Sequence, residues 1–168
     1  TFDASVPAYA KPAFQASFLS WSVVAFRGSV TFFEAASLPA DITILWSPGD
    51  LVIGGLHADA LTYPIAANHV LASATITMNG SIDWTKPTVF GDTLVCCSLH
   101  EIGHALGLNH STDNQAVMFP GSLMQALGRD DVLAIASLYA VPPSDLALFK
   151  STLDRLLQKY VVLAKFKV

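Results

Sequence analysis

The sequence reads His-Glu-Ile-Gly-His-Ala-Leu-Gly-Leu-Asn-His from His100 to His110. On an α-helix, with about 3.6 residues per turn, His100 and His104 lie one turn apart on the same face, so both imidazoles can reach one metal ion. Glu101 is offset from this pair, and its carboxylate is suited to deprotonate a water molecule rather than to bind the metal. The stretch therefore predicts a helix with two metal ligands and a general base.

Gly107 and His110 extend this pattern beyond the helix. A glycine can take the left-handed conformation that ends a helix, and the turn brings His110 back as a third ligand. A short His-Glu-x-x-His match also arises by chance on amphipathic helices, but these two residues add constraints at fixed offsets. Three neutral nitrogens leave the fourth position of a zinc ion open to water, which is typical of catalytic zinc.

Met118 follows the third histidine in the segment Ala-Val-Met-Phe-Pro of residues 116–120. An isolated methionine ordinarily fills space in a core. At this offset it matches the methionine turn that accompanies the extended histidine pattern in metzincins. We expect Met118 to lie beneath the metal.

The chain resembles the matrixins, the matrix metalloproteinase branch of the metzincin zinc peptidases. Ser111 follows the third histidine as in that branch, and residues 116–120 are similar to the matrixin Ala-Leu-Met-Tyr-Pro turn. The resemblance covers about residues 1–141. Its further landmarks are Trp21 and residues 30–32, 40–42, 70–72, 83–85 and 130–139.

The resemblance implies an α+β fold with a twisted five-stranded mixed sheet, one antiparallel edge strand, a backing helix, a zinc-binding helix and C-terminal helices. In the family, extended substrates bind beside the edge strand, which here corresponds to about residues 70–74. The pattern along the chain predicts helices, strands and caps that fit this fold. The predicted strands are a first strand ending at 1–3 and strands at 30–33, 42–46 and 73–78. The predicted helices are one opened by Pro7 or Pro12, with Phe14, Phe18 and Trp21 on one face, a zinc helix at 93–106 capped by Asp92, and a helix at 129–139.

The resemblance also implies a zinc endopeptidase acting on extended protein or peptide substrates. In this interpretation His100, His104 and His110 hold the zinc and Glu101 is the general base. Site support comes from Met118, Gly107 and Pro120, the last as a wall of the main specificity pocket. We expect a monomer that is secreted or extracellular. The alternative is a catalytically silent zinc-binding domain that interacts with a peptide or a membrane.

A second, structural zinc is usual in matrixins, held by three histidines and an aspartate. His57 and Asp59 match two ligands in order, but Ser73 and Thr77 stand where two histidines would be. A closed structural site needs four protein ligands, so we expect this zinc to be absent. The alternative is a weak metal site on His57, Asp59 and His69.

Two other family features are eroded. Residues 79–81 read Asn-Gly-Ser in place of part of an acidic run that helps bind calcium, which leaves Ca²⁺ binding open. The family's Pro-x-Tyr after the methionine turn is Pro120-Gly121-Ser122 here, so the pocket's side-chain preference does not transfer.

Composition excludes several classes of protein. The 168 residues are 52% hydrophobic and 13% charged, which suits one domain with a substantial core. Residues 1–143 hold four Lys or Arg against eleven Asp or Glu, which argues against a nucleic-acid partner. No apolar run reaches the length of a membrane span, and the start at Thr1 is what a processed catalytic domain would show.

Cys96 and Cys97 are adjacent, so on a helix their side chains diverge, which predicts free buried thiols rather than a disulfide.

The segment after Pro142 and Pro143 has a pattern of its own. Apolar residues recur at spacings of three and four, and Lys159 to Val168 is both basic and apolar. We therefore divide the chain into a peptidase-like domain at 1–141 and an amphipathic helical extension at 142–168. The extension is predicted to dock on the domain's own surface, and the alternative is contact with a membrane surface or a partner protein through 144–168.

Overall fold

The computed structural model of the chain describes residues 1–26, 30–37, 39–67 and 70–139. Within these ranges, residues from Thr1 to Leu138 form one compact unit. The predicted extension at 142–168 and His69 lie outside the described residues. The described helices are α1 (Lys11–Ser20), α2 (Leu94–Ala105) and α3 (Arg129–Leu138), and the strands are β1 (Ile42–Trp46), β2 (Val52–Ile53), β3 (Leu56–His57), β4 (Ala60–Ala67) and β5 (Val70–Met78).

The main sheet has the strand order β1-β5-β4. β1 runs parallel to β5 from the pair Ile42 and Ala74 to the pair Trp46 and Met78, and β4 runs antiparallel to β5. Phe2 makes a parallel bridge to Ile44, so the N-terminal segment lies on the free side of β1. The α+β class, with a mixed sheet and one antiparallel edge strand, is confirmed.

The strands are distributed differently from the prediction. Five strands form in the described residues, but β2 and β3 make a separate two-stranded ladder. Residues 30–33, predicted as a strand, have no strand pairing. The side of β1 away from β5 is taken by the N-terminal segment, since Ile44 N–H donates to the Thr1 carbonyl at 3.0 Å and Asp3 N–H to the Ile44 carbonyl at 2.9 Å.

The predicted edge strand at 70–74 is wrong. Those residues belong to β5, which has a strand on each side, and the antiparallel edge is β4. Ala74 N–H donates to the Asp41 carbonyl at 2.7 Å, so the Ala74 backbone faces β1 and its β4 partner Pro64 directs its ring nitrogen outward. Proline has no N–H to donate, and an edge is where a sheet tolerates it. Residues 60–67 and 70–78 are both apolar enough to form an edge strand, and only the strand pairing shows that the edge is 60–67.

The core lies between the sheet and the helices. Ala74, Ile76 and Met78 are buried on one face of β5, as their alternation predicts. The helix before the sheet begins with Pro12 in its first turn and continues from Ser20 into a π-helical turn at Trp21–Ala25. Trp21 is fully buried there, and its indole Nε1–H donates to the Leu99 carbonyl at 3.1 Å. This contact fixes α2 against the first helix.

The start of α2 differs from the predicted one. Its N-cap is Thr93, whose hydroxyl accepts from Cys96 N–H at 3.3 Å, while Cys96 Sγ accepts from Thr93 N–H at 3.0 Å. Asp92 is instead held in the preceding loop, where its N–H donates to the Thr88 hydroxyl at 3.1 Å. Cys96 and Cys97 are free and buried, which confirms that prediction.

Candidate metal centre

Three histidine side chains converge at the C-terminal half of α2. The nearest ligand atoms of His100, His104 and His110 all lie within 4.8 Å of one another, and no other such group of three forms among the described residues. The His104 and His110 ring centroids are 4.8 Å apart. Gly107 has φ 92°, and Leu108 N–H donates to the Gly103 carbonyl at 3.0 Å, which closes the helix and turns His110 back. The three side chains are thus close enough for one metal ion to bind all of them.

Backbone carbonyls orient two of these rings. His100 Nδ1 lies 2.7 Å from the Val117 carbonyl, and His104 Nδ1 lies 2.8 Å from the Leu108 carbonyl. A carbonyl can only accept, so each Nδ1–H donates and the Nε2 lone pair is left for a metal. Burial lowers the pKa of His100 to about 4, and it also lowers the pKa of His110. Neutral imidazole, the form that binds metal, is therefore favoured at neutral pH.

The Val117 carbonyl is itself held in place by Asp131 of α3. The Asp131 carboxylate accepts from Val117 N–H at 2.8 Å, Met118 N–H at 3.0 Å and Gly128 N–H at 2.7 Å. Asp131 is buried, and burial raises its carboxyl pKa against the lowering by these three N–H groups. In the sequence Asp131 was only a family landmark. In the structure it fixes the methionine turn.

Met118 lies against α2, the helix that carries His100 and His104, as expected of the methionine turn. It is 2% exposed, and its side chain packs against Gly103 of α2. A Cβ on Gly103 would lie 2.3 Å from Met118 Sδ and 3.0 Å from Trp21 Cζ2, so α2 approaches both only because this residue has no side chain. Gly103 was not among the residues predicted for the site. The available signal was a glycine inside a helix, which costs about 1 kcal/mol relative to alanine and so indicates a packing requirement.

Glu101 lies on α2 between the two histidines and is 7% exposed. Its carboxylate Oε2 accepts from the hydroxyl of Thr62, on β4, at 2.6 Å. Burial raises the pKa of the Glu101 carboxyl, and the bond from Thr62 partly opposes that rise. Glu101 is thus a buried carboxylate on the same helix as two of the three clustered histidines. No local sequence pattern indicates this contact between Thr62 and Glu101.

The other predicted site residues lie apart from this cluster. The His57 side chain is 80% exposed, and its Nδ1 bonds to the Asp50 carboxylate. Asp59 is partly buried, and burial together with nearby Asp92 raises its carboxyl pKa. Neither joins a group of three ligating side chains within the described ranges, and the proposed third member, His69, lies outside them. Pro120 is exposed at the end of the methionine turn.

The fold and this cluster define an α+β domain of the metzincin type, with a histidine helix, a third histidine after a glycine turn, and a buried methionine turn, and the three histidines could hold a metal ion. The family model for matrixins matches residues 4–140. The chain belongs to the matrixin family, whose members are zinc metalloendopeptidases.

Individual relatives agree with this assignment. The chain is 28% identical to "Interstitial collagenase B" of Mus musculus over 149 residues, 82% of this chain and 30% of the relative. It is 32% identical to "Metalloendoproteinase 2-MMP" of Arabidopsis thaliana over 145 residues, 80% of this chain and 38% of the relative. It is 31% identical to "Matrilysin" of Homo sapiens over 112 residues, 57% of this chain and 42% of the relative. The chain thus spans less than half the length of these proteins.

The contact between Gly103 and Met118 gives a stability test. Gly103→Ala is expected to lower the free energy of unfolding by about 2 kcal/mol, because the new methyl group overlaps Met118 Sδ in a packed core. Gly49→Ala is the matched control, since a Cβ at Gly49 meets nothing within 4 Å. Urea denaturation of both variants measures the difference. The cost should shrink in a Met118→Ala background, and equal stability of the two single variants would contradict the packing account.

Proposed function

We propose that this domain is a zinc-dependent endopeptidase that hydrolyses peptide bonds in extended protein or peptide substrates. The observation that carries the proposal is the convergence of three histidines, two of them with Nε2 free, beside the buried carboxylate of Glu101. The donor set suits zinc, because three imidazole nitrogens leave one position for water or substrate. His110 is the exposed member, so the cluster is open to solvent on its side.

His100, His104 and His110 would hold the metal, with their ring orientation set by the Val117 and Leu108 carbonyls for the first two. Zinc bound there would polarise the scissile carbonyl and lower the pKa of a water ligand to about 7. Glu101 takes the proton of the attacking water on its carboxylate and delivers it to the departing amine. Met118 supports the ligand helix from below, and Gly107 allows the turn that returns the third histidine.

We further propose that the substrate backbone binds along β4, the exposed antiparallel edge, rather than along residues 70–74. The alternation fixed by the bonds from Ala74 N–H to Asp41 and from Asn79 N–H to Asp59 directs the backbone N–H and C=O of Thr62 away from β5. An extended peptide can therefore pair with Thr62 by strand addition. Pro64 contributes only its carbonyl to the same edge.

Cellular setting and partners follow from the family as proposals. We propose an extracellular or secreted monomer whose partners are protein or peptide substrates, and the acidic balance of residues 1–143 disfavours nucleic acid. Among the described residues, no helix is long and apolar enough to cross a bilayer. Pro120 and the Gly121-Ser122 that follows it are proposed to line the specificity pocket.

Replacement of the proposed base separates an enzyme from a zinc-binding module. Glu101→Ala is expected to keep its zinc, since no ligand is removed, and to lose at least about a hundredfold in kcat/KM, the usual contribution of a general base. Cleavage of a quenched peptide library and zinc content by mass spectrometry are the two measurements. Glu34→Ala, at an exposed carboxylate bonded to Gln15, should stay active.

Three outcomes of this experiment are informative. Activity that is present in the unaltered protein, lost on chelation and lost in Glu101→Ala supports the peptidase. An active Glu101→Ala protein would exclude Glu101 as base. A zinc-loaded native protein that cleaves nothing in the library would favour the alternative, a catalytically silent zinc domain that binds peptides or membranes.

We propose that the domain binds one zinc per chain. The loop of the family's second site is held here by protein bonds: Asn79 Nδ2–H donates to Asp50 at 2.9 Å and to the Ala58 carbonyl at 2.8 Å, and His57 bonds to Asp50. Ser73 and Thr77 stand where two of the family's four ligands would be, so His57 and Asp59 alone do not complete a closed zinc site.

Metal analysis tests this count. The purified protein is expected to contain one zinc per chain, His57→Ala to keep it, and His110→Ala to lose most of it, because removing one of three ligands weakens the site. Two zinc ions per chain, with one lost in His57→Ala, would contradict the proposal.

A further inference from the structure

We propose that Thr62 is a positioning residue that fixes the carboxylate of Glu101 and selects which of its oxygens takes the proton. The proposal deepens the peptidase function proposed above and rests on it. Thr62 lies on the edge strand β4, and in register it faces Ile76 of β5. The residues on either side of it, Leu61 and Tyr63, are exposed, whereas Thr62 itself is half-buried toward α2.

The Thr62 hydroxyl contacts Glu101 twice. Its Oγ1 is 2.6 Å from the carboxylate Oε2 and 3.0 Å from the backbone carbonyl oxygen of the same residue. Both Glu101 oxygens can only accept when the carboxylate is ionised, so the single hydroxyl proton is directed mainly to the nearer one, Oε2. The result is a short, charge-assisted bond between the edge strand and the histidine helix.

This bond makes the two carboxylate oxygens inequivalent. Glu101 makes no other side-chain hydrogen bond to the described residues, so Oε1 has no protein partner there. Glu101 is 7% exposed, so Oε1 is the oxygen left available to a water molecule. Oε2 is therefore anchored, and Oε1 is the oxygen that faces water. We assign the proton transfer to Oε1.

Thr62 also connects this carboxylate to the substrate edge. Its backbone N–H and C=O point outward from β4, where an extended peptide would pair, and its side chain points inward to Glu101. One residue thus holds both the peptide backbone and the base at a set distance. Such fixed geometry matters most for the chemical step, because the reacting groups must be aligned in the transition state. Loss of the hydroxyl should therefore affect kcat more than KM.

Thr62→Val tests this role, because valine keeps the branched shape and removes the hydroxyl. We expect kcat to fall about ten- to a hundredfold, the range for a hydrogen bond to a charged group, with KM changed less than about threefold. Thr62→Ser should recover most of the activity because it restores the donor. Thr75→Val is the control, since Thr75 lies on the neighbouring strand in register with exposed Tyr63. Zinc content and thermal unfolding of each variant are measured alongside.

The outcomes distinguish the positioning role from the function on which it rests. An active native protein with kcat unchanged in Thr62→Val would overturn the positioning role alone. A Thr62→Ser variant as impaired as Thr62→Val, or a loss of kcat that follows loss of zinc, would assign the effect to packing and also overturn it. A native protein that binds zinc yet cleaves no peptide would overturn the peptidase function and this proposal together.

Discussion

The candidate metal centre depends on one buried carboxylate. Asp131 is 1% exposed and accepts three backbone N–H groups, two of them from the methionine turn. Burying an ionised carboxylate is costly unless such bonds offset the loss of water. With the turn fixed, the Val117 carbonyl can hold His100 and Met118 can lie under α2. A residue distant in sequence from His100 thus supports the orientation of this proposed ligand.

Helix α2, which carries His100, is held by three separate parts of the fold. Trp21 donates to the Leu99 carbonyl, Gly103 admits Met118, and Thr62 of the edge strand reaches Glu101. Helix α2 is therefore held by the first helix, the methionine turn and β4, each through a contact within one turn of a proposed ligand or base. Such support limits the movement of reacting groups, which proton transfer and metal binding both require.

The sequence was most informative where chemistry depends on local spacing. The interval between His100 and His104 follows from helix geometry, and the buried face of β5 follows from alternation, so both were predictable. Gly103, Thr62 and Asp131 each act on a partner at least 13 positions away, such as Met118 for Asp131 and Glu101 for Thr62, and no local pattern marks such contacts. The edge strand was misassigned because residues 60–67 and 70–78 are both apolar enough to form either strand.

The central claim is that three histidine nitrogens form the metal site and leave one position open. X-ray absorption spectroscopy at the zinc edge of the metal-loaded native protein tests it most directly. The account predicts three imidazole ligands with Zn–N distances of about 2.0 Å and one further oxygen ligand from solvent. A Zn–S distance of about 2.3 Å, which would involve Cys96 or Cys97, or a shell of four protein ligands, would contradict it.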